Sequence, residues 1–496
     1  MRSLLFSPAT IWNRLRAPIA IAAALAVMVA IARWGGVTRP GPLFAAGVAL
    51  LSGLILAFGV LTWWLYLSPL PTQDAVAPPR STAARQVLGM LALISGTLFL
   101  IGSFWDEVWH RAYGSFGDDF LWPPHMLIYG SLALVALFAG GGLLLMMVRG
   151  GDLRWRFRAE PHVGLLALVS AFLVASIPSD LLWHVIYGID MTAWGLPHLM
   201  LASGVALVLL TTVALQLSLV PAAPWRGLRG LAAAEVLALL GCAGATTMLL
   251  QFGTADWEGL TAIGDTALNR SIFWQRPEWL YPVVVAAVAL FCGNLAIHAL
   301  RRAGAATVVA LVALAFRLVL LVGADAMRPG IGMGFVPQLA LVPPLLLLDL
   351  WYLAQLRRSS NQEPRTENQT QRTKNSSSNT QYAIRNTRHA IRTVAIGNLL
   401  AGALFLAAGL PLIERALIYP RVGAATLPGM IGWSLAAALT FGWAGARLGA
   451  WLGALDRPAA TPRASAWAAR AAALALLAAV LFTAFFILTA RPPITA

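Results

Sequence analysis

The chain has 496 residues, 59% of them hydrophobic and 11% charged, with a mean hydropathy of +0.74. That balance excludes a water-soluble globular enzyme, a disordered chain and a nucleic-acid-binding domain. The net charge of +15 does not point to an acidic partner, because the arginines mostly flank apolar runs, where they set membrane orientation. The two cysteines, Cys242 and Cys292, lie inside apolar runs and build neither a disulfide framework nor a thiolate metal site.

Apolar stretches of roughly 20 residues, enough to cross about 30 Å of hydrocarbon, recur along the whole chain. They fall near 17–33, 42–68, 86–106, 125–148, 162–183, 197–220, 229–251, 279–300, 303–324, 334–355, 393–413, 426–447 and 466–489. The sequence therefore predicts an all-α polytopic membrane protein of about thirteen transmembrane helices. Lipid offers the backbone no hydrogen-bond partner, and runs this long and uniformly apolar do not suit barrel strands.

Arginine placement sets the expected orientation. Arg2, Arg14 and Arg16 precede the first span; Arg149, Arg154, Arg156 and Arg158 follow the fourth. Arg226 and Arg229 follow the sixth, Arg301 and Arg302 the eighth, and Arg357 and Arg358 the tenth. With thirteen alternating spans these share one side, so the N-terminus is expected in the cytoplasm and the C-terminus outside. The opposite loops carry Asp106, Glu107, Asp118, Asp119, Asp180, Asp190, Asp256, Glu258 and Asp265, while Arg33 and Arg39 run against the pattern. The first span lacks a small-residue cleavage site and reads as a retained anchor. The expected location is a bacterial or archaeal plasma membrane, active side external.

Residues 359–392 differ in composition. They are rich in Asn, Gln, Ser and Thr and hold the chain's one lysine, Lys374. Such a stretch cannot bury apolar surface and is expected to be a disordered, dispensable cytoplasmic linker, His389 included. It divides a bundle of about ten helices, 1–358, from three further helices, 393–496.

Two outer-side segments read almost alike. One is Asp106-Glu-Val-Trp109-His110-Arg-Ala-Tyr113-Gly114, then Asp118-Asp119, then Trp122-Pro-Pro124-His125. The other is Asp180-Leu-Leu-Trp183-His184-Val-Ile-Tyr187-Gly188, then Asp190, then Trp194-Gly-Leu-Pro197-His198. Asp and His at i and i+4 share a helix face, so each copy projects a carboxylate and an imidazole together. Proline suits a first helical turn, so Pro124 and Pro197 open the next spans and set His125 and His198 at their mouths. Two such helical hairpins would bring four of the seven histidines toward one centre.

Imidazole with carboxylate and no thiolate suits copper, zinc, iron or manganese. Asp106, His110, His125, Asp180, His184 and His198 are the candidate ligands for one or two ions, and Asp119, Asp190 and Glu278 the candidate proton relays. The plainer alternative is a polar membrane edge in which Trp105, Trp109, Trp122, Trp183 and Trp194 form an aromatic belt. A fainter echo runs through Asp256-Trp257-Glu258 to Pro277-Glu278, and through Asp325 to Pro337-Gln338. Arg317, Glu235, His298 and Asp349 are ionisable groups within spans; the last three read as helix-pairing or snorkelling groups, with an ion path as the sharper alternative.

The order Asp106-x3-His110-x14-His125, repeated as Asp180-x3-His184-x13-His198, resembles the metal motif of the C subunit of copper membrane monooxygenases, Asp-x3-His-x12-His. The resemblance covers only these stretches, with a longer gap between histidines and a doubled motif. It implies a copper-dependent oxidoreductase in which both Asp/His/His sets are ligands. A competing resemblance joins Trp105-Asp106-Glu107, Asp119 and Trp122-Pro-Pro-His125 to the first external loop of GT-C membrane glycosyltransferases, and implies Asp106 as base with Glu107 beside it. Three function classes follow. They are a metal-dependent oxidoreductase acting on an apolar, lipid-derived or quinone-like substrate, a metal- or proton-coupled transporter, and a glycosyltransferase.

Overall fold

The structure is a computed structural model that describes residues 43–69, 82–113, 121–148, 151–188, 193–263, 279–327, 336–362, 391–416, 427–459 and 465–490, with Ile19 and Ala22. Thirteen helices run through these residues: α1 Phe44–Tyr66, α2 Thr82–Tyr113, α3 Pro123–Val148, α4 Leu153–Ala159, α5 Pro161–Tyr187, α6 Leu196–Leu217, α7 Ala233–Ile263, α8 Leu280–Leu300, α9 Ala305–Met327, α10 Val336–Gln362, α11 Ile391–Ile413, α12 Leu427–Ala454 and α13 Ala466–Thr489. Twelve are long and apolar enough to cross a membrane, and α4 alone is too short. Each of the twelve overlaps a predicted span; the first predicted span, apart from Ile19 and Ala22, and residues 363–390 of the linker lie outside the described residues.

The chain forms two compact units. The first holds α1 to α5, α6 as far as Leu215, the end of α7 from Gln251, and α13; the second holds the last two residues of α6, the start of α7 and α8 to α12. α13 packs on α2 and α3, while α10 and α11 contact one another within the second unit.

The arginine-rich turn between α3 and α5 shows why α4 forms. Asp152 caps it, its Oδ1 accepting the Arg154 backbone N–H at 2.8 Å, and the Arg154 guanidinium beside it holds the carboxyl below the usual range. Arg158 donates from Nε to the Leu65 carbonyl at 2.7 Å and from Nη2 to the Ser68 carbonyl, at the end of α1. Arg156 donates to the Met146 and Met147 carbonyls that finish α3. The last carbonyls of a helix have no partner of their own. Arginines read from sequence as orientation signals are therefore also helix caps.

In the second unit, α8 and α12 run parallel in close contact. A Cβ on Gly445, Gly449 or Gly453 would sit 2.0–2.3 Å from the carbonyl oxygens of Phe291, Leu295 and Ala299 in turn. Without a hydrophobic drive between helices in lipid, small residues that let backbones approach supply the packing. Polar side chains add cross-links. Asn294 donates to the Asn398 side-chain oxygen at 2.7 Å, His298 Nε2 lies 2.8 Å from the Tyr352 hydroxyl, and Trp225 stacks on Tyr352. The fully buried Arg302 pairs with Glu235 at 2.7 and 3.0 Å, a contact whose loss from one side costs on the order of 3–5 kcal/mol. Asp349 accepts from the Gly304 and Thr307 backbone N–H groups and the Thr307 hydroxyl, each at 2.7 Å. These carboxylates are helix-pairing and capping groups. Cys242 and Cys292 are buried and unpaired with one another.

Gly449→Leu should lower the melting temperature of the detergent-solubilised protein by several degrees, an overpacking cost of about 1–3 kcal/mol. Gly432→Leu, where a Cβ meets nothing within 4 Å, should leave it unchanged. Equal effects from the two substitutions would refute tight α8–α12 packing.

Candidate metal centre

The two halves of the repeat sit in matching registers. Asp106 and Asp180 each stand seven residues before the tyrosine that ends their helix, Tyr113 of α2 and Tyr187 of α5. His125 and His198 are each the third residue of the next membrane-spanning helix, α3 and α6, behind a proline. Gln338 holds the same third position in α10. The prolines belong there because a first-turn residue has no intrahelical N–H bond to lose.

In both hairpins the aspartate meets the histidine across the turn. Oδ1 of Asp106 lies 2.9 Å from Nε2 of His125. Oδ1 of Asp180 lies 3.3 Å from Nε2 of His198 and 3.5 Å from Nε2 of His184. The three residues of the second hairpin each bring one ligand atom within 4.8 Å of the others. Metal bonds of about 2.0–2.2 Å set neighbouring donors roughly 3.0–3.5 Å apart, close to both Asp180 distances. Oδ1 of Asp180 is buried and has no hydrogen-bond partner among the described residues, as suits an oxygen facing an ion.

The backbone helps to orient His184. Its Nδ1 lies 3.3 Å from the Gly188 carbonyl oxygen; an Nδ1–H donated there leaves Nε2 with its lone pair toward Asp180. Gly188 closes α5 at φ 81°, ψ −174°, a conformation open to glycine and strained for a side chain. Pro178 interrupts the ladder of α5 just before the site, and the Ser176 and Ser179 hydroxyls donate to the Leu173 and Ala175 carbonyls there.

Behind the donors lies an apolar floor. Trp183 and Tyr187 pack edge to face at 4.8 Å, Phe44 of α1 contacts both, and the Tyr187 hydroxyl donates to the Leu43 carbonyl at 2.7 Å. Leu51, Phe172, Leu196 and Met200 complete this cluster. Trp194, 1% exposed, donates from Nε1 to the Phe252 carbonyl at 3.0 Å. The expected belt is corrected here: Trp105, Trp109, Trp183 and Trp194 are all buried within the protein. Belt and core tryptophans occupy the same helix-end positions in a sequence, and only packing separates them.

The sequence names six candidate ligands for one or two ions. Asp180, His184 and His198 come together, and neither Asp106 nor His125 joins that group. Asp106 and His125 form their own pair, with the His125 ring stacked 6.4 Å from Trp122. The side chain of His110 and the whole of Asp119, Asp190 and Glu278 lie outside the described residues. Arg317 is 2% exposed within the second unit, and Asp325 is exposed.

Gly188→Val should weaken zinc(II) binding at the cluster about tenfold, the usual scale for losing a ligand's outer partner. Isothermal titration of the purified protein reads this directly, and an unaltered affinity would remove Gly188 from the orientation of His184.

No protein-family model, no curated protein and no solved structure matches this chain.

Proposed function

We propose that this is an integral-membrane metal-dependent oxidoreductase whose centre is Asp180, His184 and His198. The observation that carries the reading is the donor set: one carboxylate and two imidazoles within 4.8 Å, all half-buried. Two histidines and one carboxylate on one face of an ion leave coordination positions open, the arrangement of non-haem iron oxygenases. Zinc hydrolases use a similar set, so the metal's redox character decides between them. The order of the residues adds the copper-monooxygenase resemblance, which makes copper the first ion to test beside iron.

In this reading Asp180 supplies charge and the two imidazoles supply fixed nitrogen donors, with the Gly188 carbonyl holding one ring in place. The partly exposed face admits a substrate and oxygen, while the apolar cluster of Trp183, Tyr187 and Met200 favours an apolar, quinone-like substrate arriving from lipid. The arginine bias supports a centre at the external edge of the bilayer. Asp119, Asp190 and Glu278 are the carboxylates to test as proton relays. A transport path through the spans is less well supported, because Glu235 and Asp349 are engaged with Arg302 and with the start of α9.

The protein purified in neutral detergent and loaded with Fe(II), Cu(II) or Zn(II) should retain about one ion per chain at this centre. Asp180→Ala/His184→Ala should lose that ion, as read by elemental analysis, together with metal-dependent quinol oxidation. Glu107→Gln should keep both. Equal metal content in wild type and double variant would overturn the site. Retention of zinc alone, with no redox turnover on iron or copper, would overturn the oxidoreductase reading, and loss of function in Glu107→Gln alone would favour glycosyl transfer.

A further inference from the structure

At the arginine-rich end of the second unit, the segment before α7 is laced to the turn between α8 and α9. Arg226 donates its N–H to the Arg301 carbonyl at 3.2 Å, and Ala303 donates to the Arg226 carbonyl at 3.0 Å. Arg302 lies beneath. Its guanidinium donates all five N–H groups, to the two Glu235 oxygens and to the carbonyls of Gly227, Arg229 and Gly230. The scaffold is therefore rigid, and the Glu235 charge is engaged inside it.

The charges around this scaffold do not balance. Arg226, Arg229, Arg301 and Arg302 stand on the two laced segments. Glu235 binds Arg302 and reaches Arg226 only at 3.8 Å, and Asp349 is turned to the start of α9. The side chains of Arg229 and Arg301 meet no carboxylate among the described residues. Arg457 donates to the Ala299 carbonyl at 2.7 Å, and burial, with the nearby Arg301, pushes its basicity down.

Between the laced segments and α10 opens a cavity of about 530 Å³. It is open to the surface and lined by Arg226 and Arg229, both exposed, with Leu228, Leu353, Ala303 and Gly304. Two arginines beside apolar lining, where α8 ends and α9 begins, match an amphiphile with an anionic head. Planar guanidinium forks suit phosphate oxygens, and basic pockets between helix ends are where anionic lipid heads bind.

We propose that this cavity is a binding site for an anionic phospholipid, with its phosphate between Arg226 and Arg229 and the first part of its acyl chains along Leu228 and Leu353. The site is independent of the metal centre.

The test is thermal unfolding of the full chain in neutral detergent with phosphatidylglycerol, phosphatidylcholine or inorganic phosphate added. Phosphatidylglycerol alone should raise the melting temperature by several degrees. The rise should vanish in Arg226→Gln/Arg229→Gln, and also in Leu353→Trp, which fills the slot and leaves both guanidiniums. The second variant keeps the test valid if the first does not fold. An equal rise with inorganic phosphate would assign the site to a free anion, and an equal rise with phosphatidylcholine would make it unselective. Either result, or a rise retained in both variants, overturns the proposal.

Discussion

In hydrocarbon a polar atom can be satisfied only by another atom of the protein, and most of this molecule follows from that constraint. It makes every described span a helix. It folds the Ser176 and Ser179 hydroxyls back onto α5 beside Pro178, and at the membrane edge the guanidiniums of Arg156 and Arg158 meet carbonyls that α3 and α1 leave open. It also explains why Arg302 uses every donor it has. Where water cannot enter, an unmet charge costs more than any single packing contact returns.

Against that background the second hairpin stands out. The buried Oδ1 of Asp180 has two imidazole nitrogens beside it, at 3.3 and 3.5 Å. The first hairpin closes its aspartate onto His125 at 2.9 Å, under the Trp122 ring. The same register thus yields a direct contact in one copy and a wider three-donor group in the other.

Much of this was legible in the chain itself. Long apolar runs are unambiguous, so the helices fall where hydropathy places them. The i, i+4 spacing of Asp180 and His184, with Pro197-His198 opening the next span, was enough to name the three residues that come together. Their grouping apart from Asp106 and His125 was not legible, because sequence similarity of two hairpins says nothing about the distance between them. Nor was the burial of Trp183 and Trp194, since an indole at a helix end can face lipid or core. The capping role of Arg158 was hidden for a related reason. A cation beside a span looks the same whether it orients the chain or binds the carbonyl of Leu65, ninety-three positions earlier.

The matching registers of α2–α3 and α5–α6 carry one more consequence. The two aspartate-bearing helices are separated by a single intervening crossing, so they traverse the bilayer in the same sense, and their polar ends open into one compartment. A duplication of this polarity differs from the antiparallel kind that gives carriers a pseudo-symmetric entrance on each side. The two hairpins therefore turn the same residue types toward the same side, as a direct Asp–His pair in one and a three-residue group in the other.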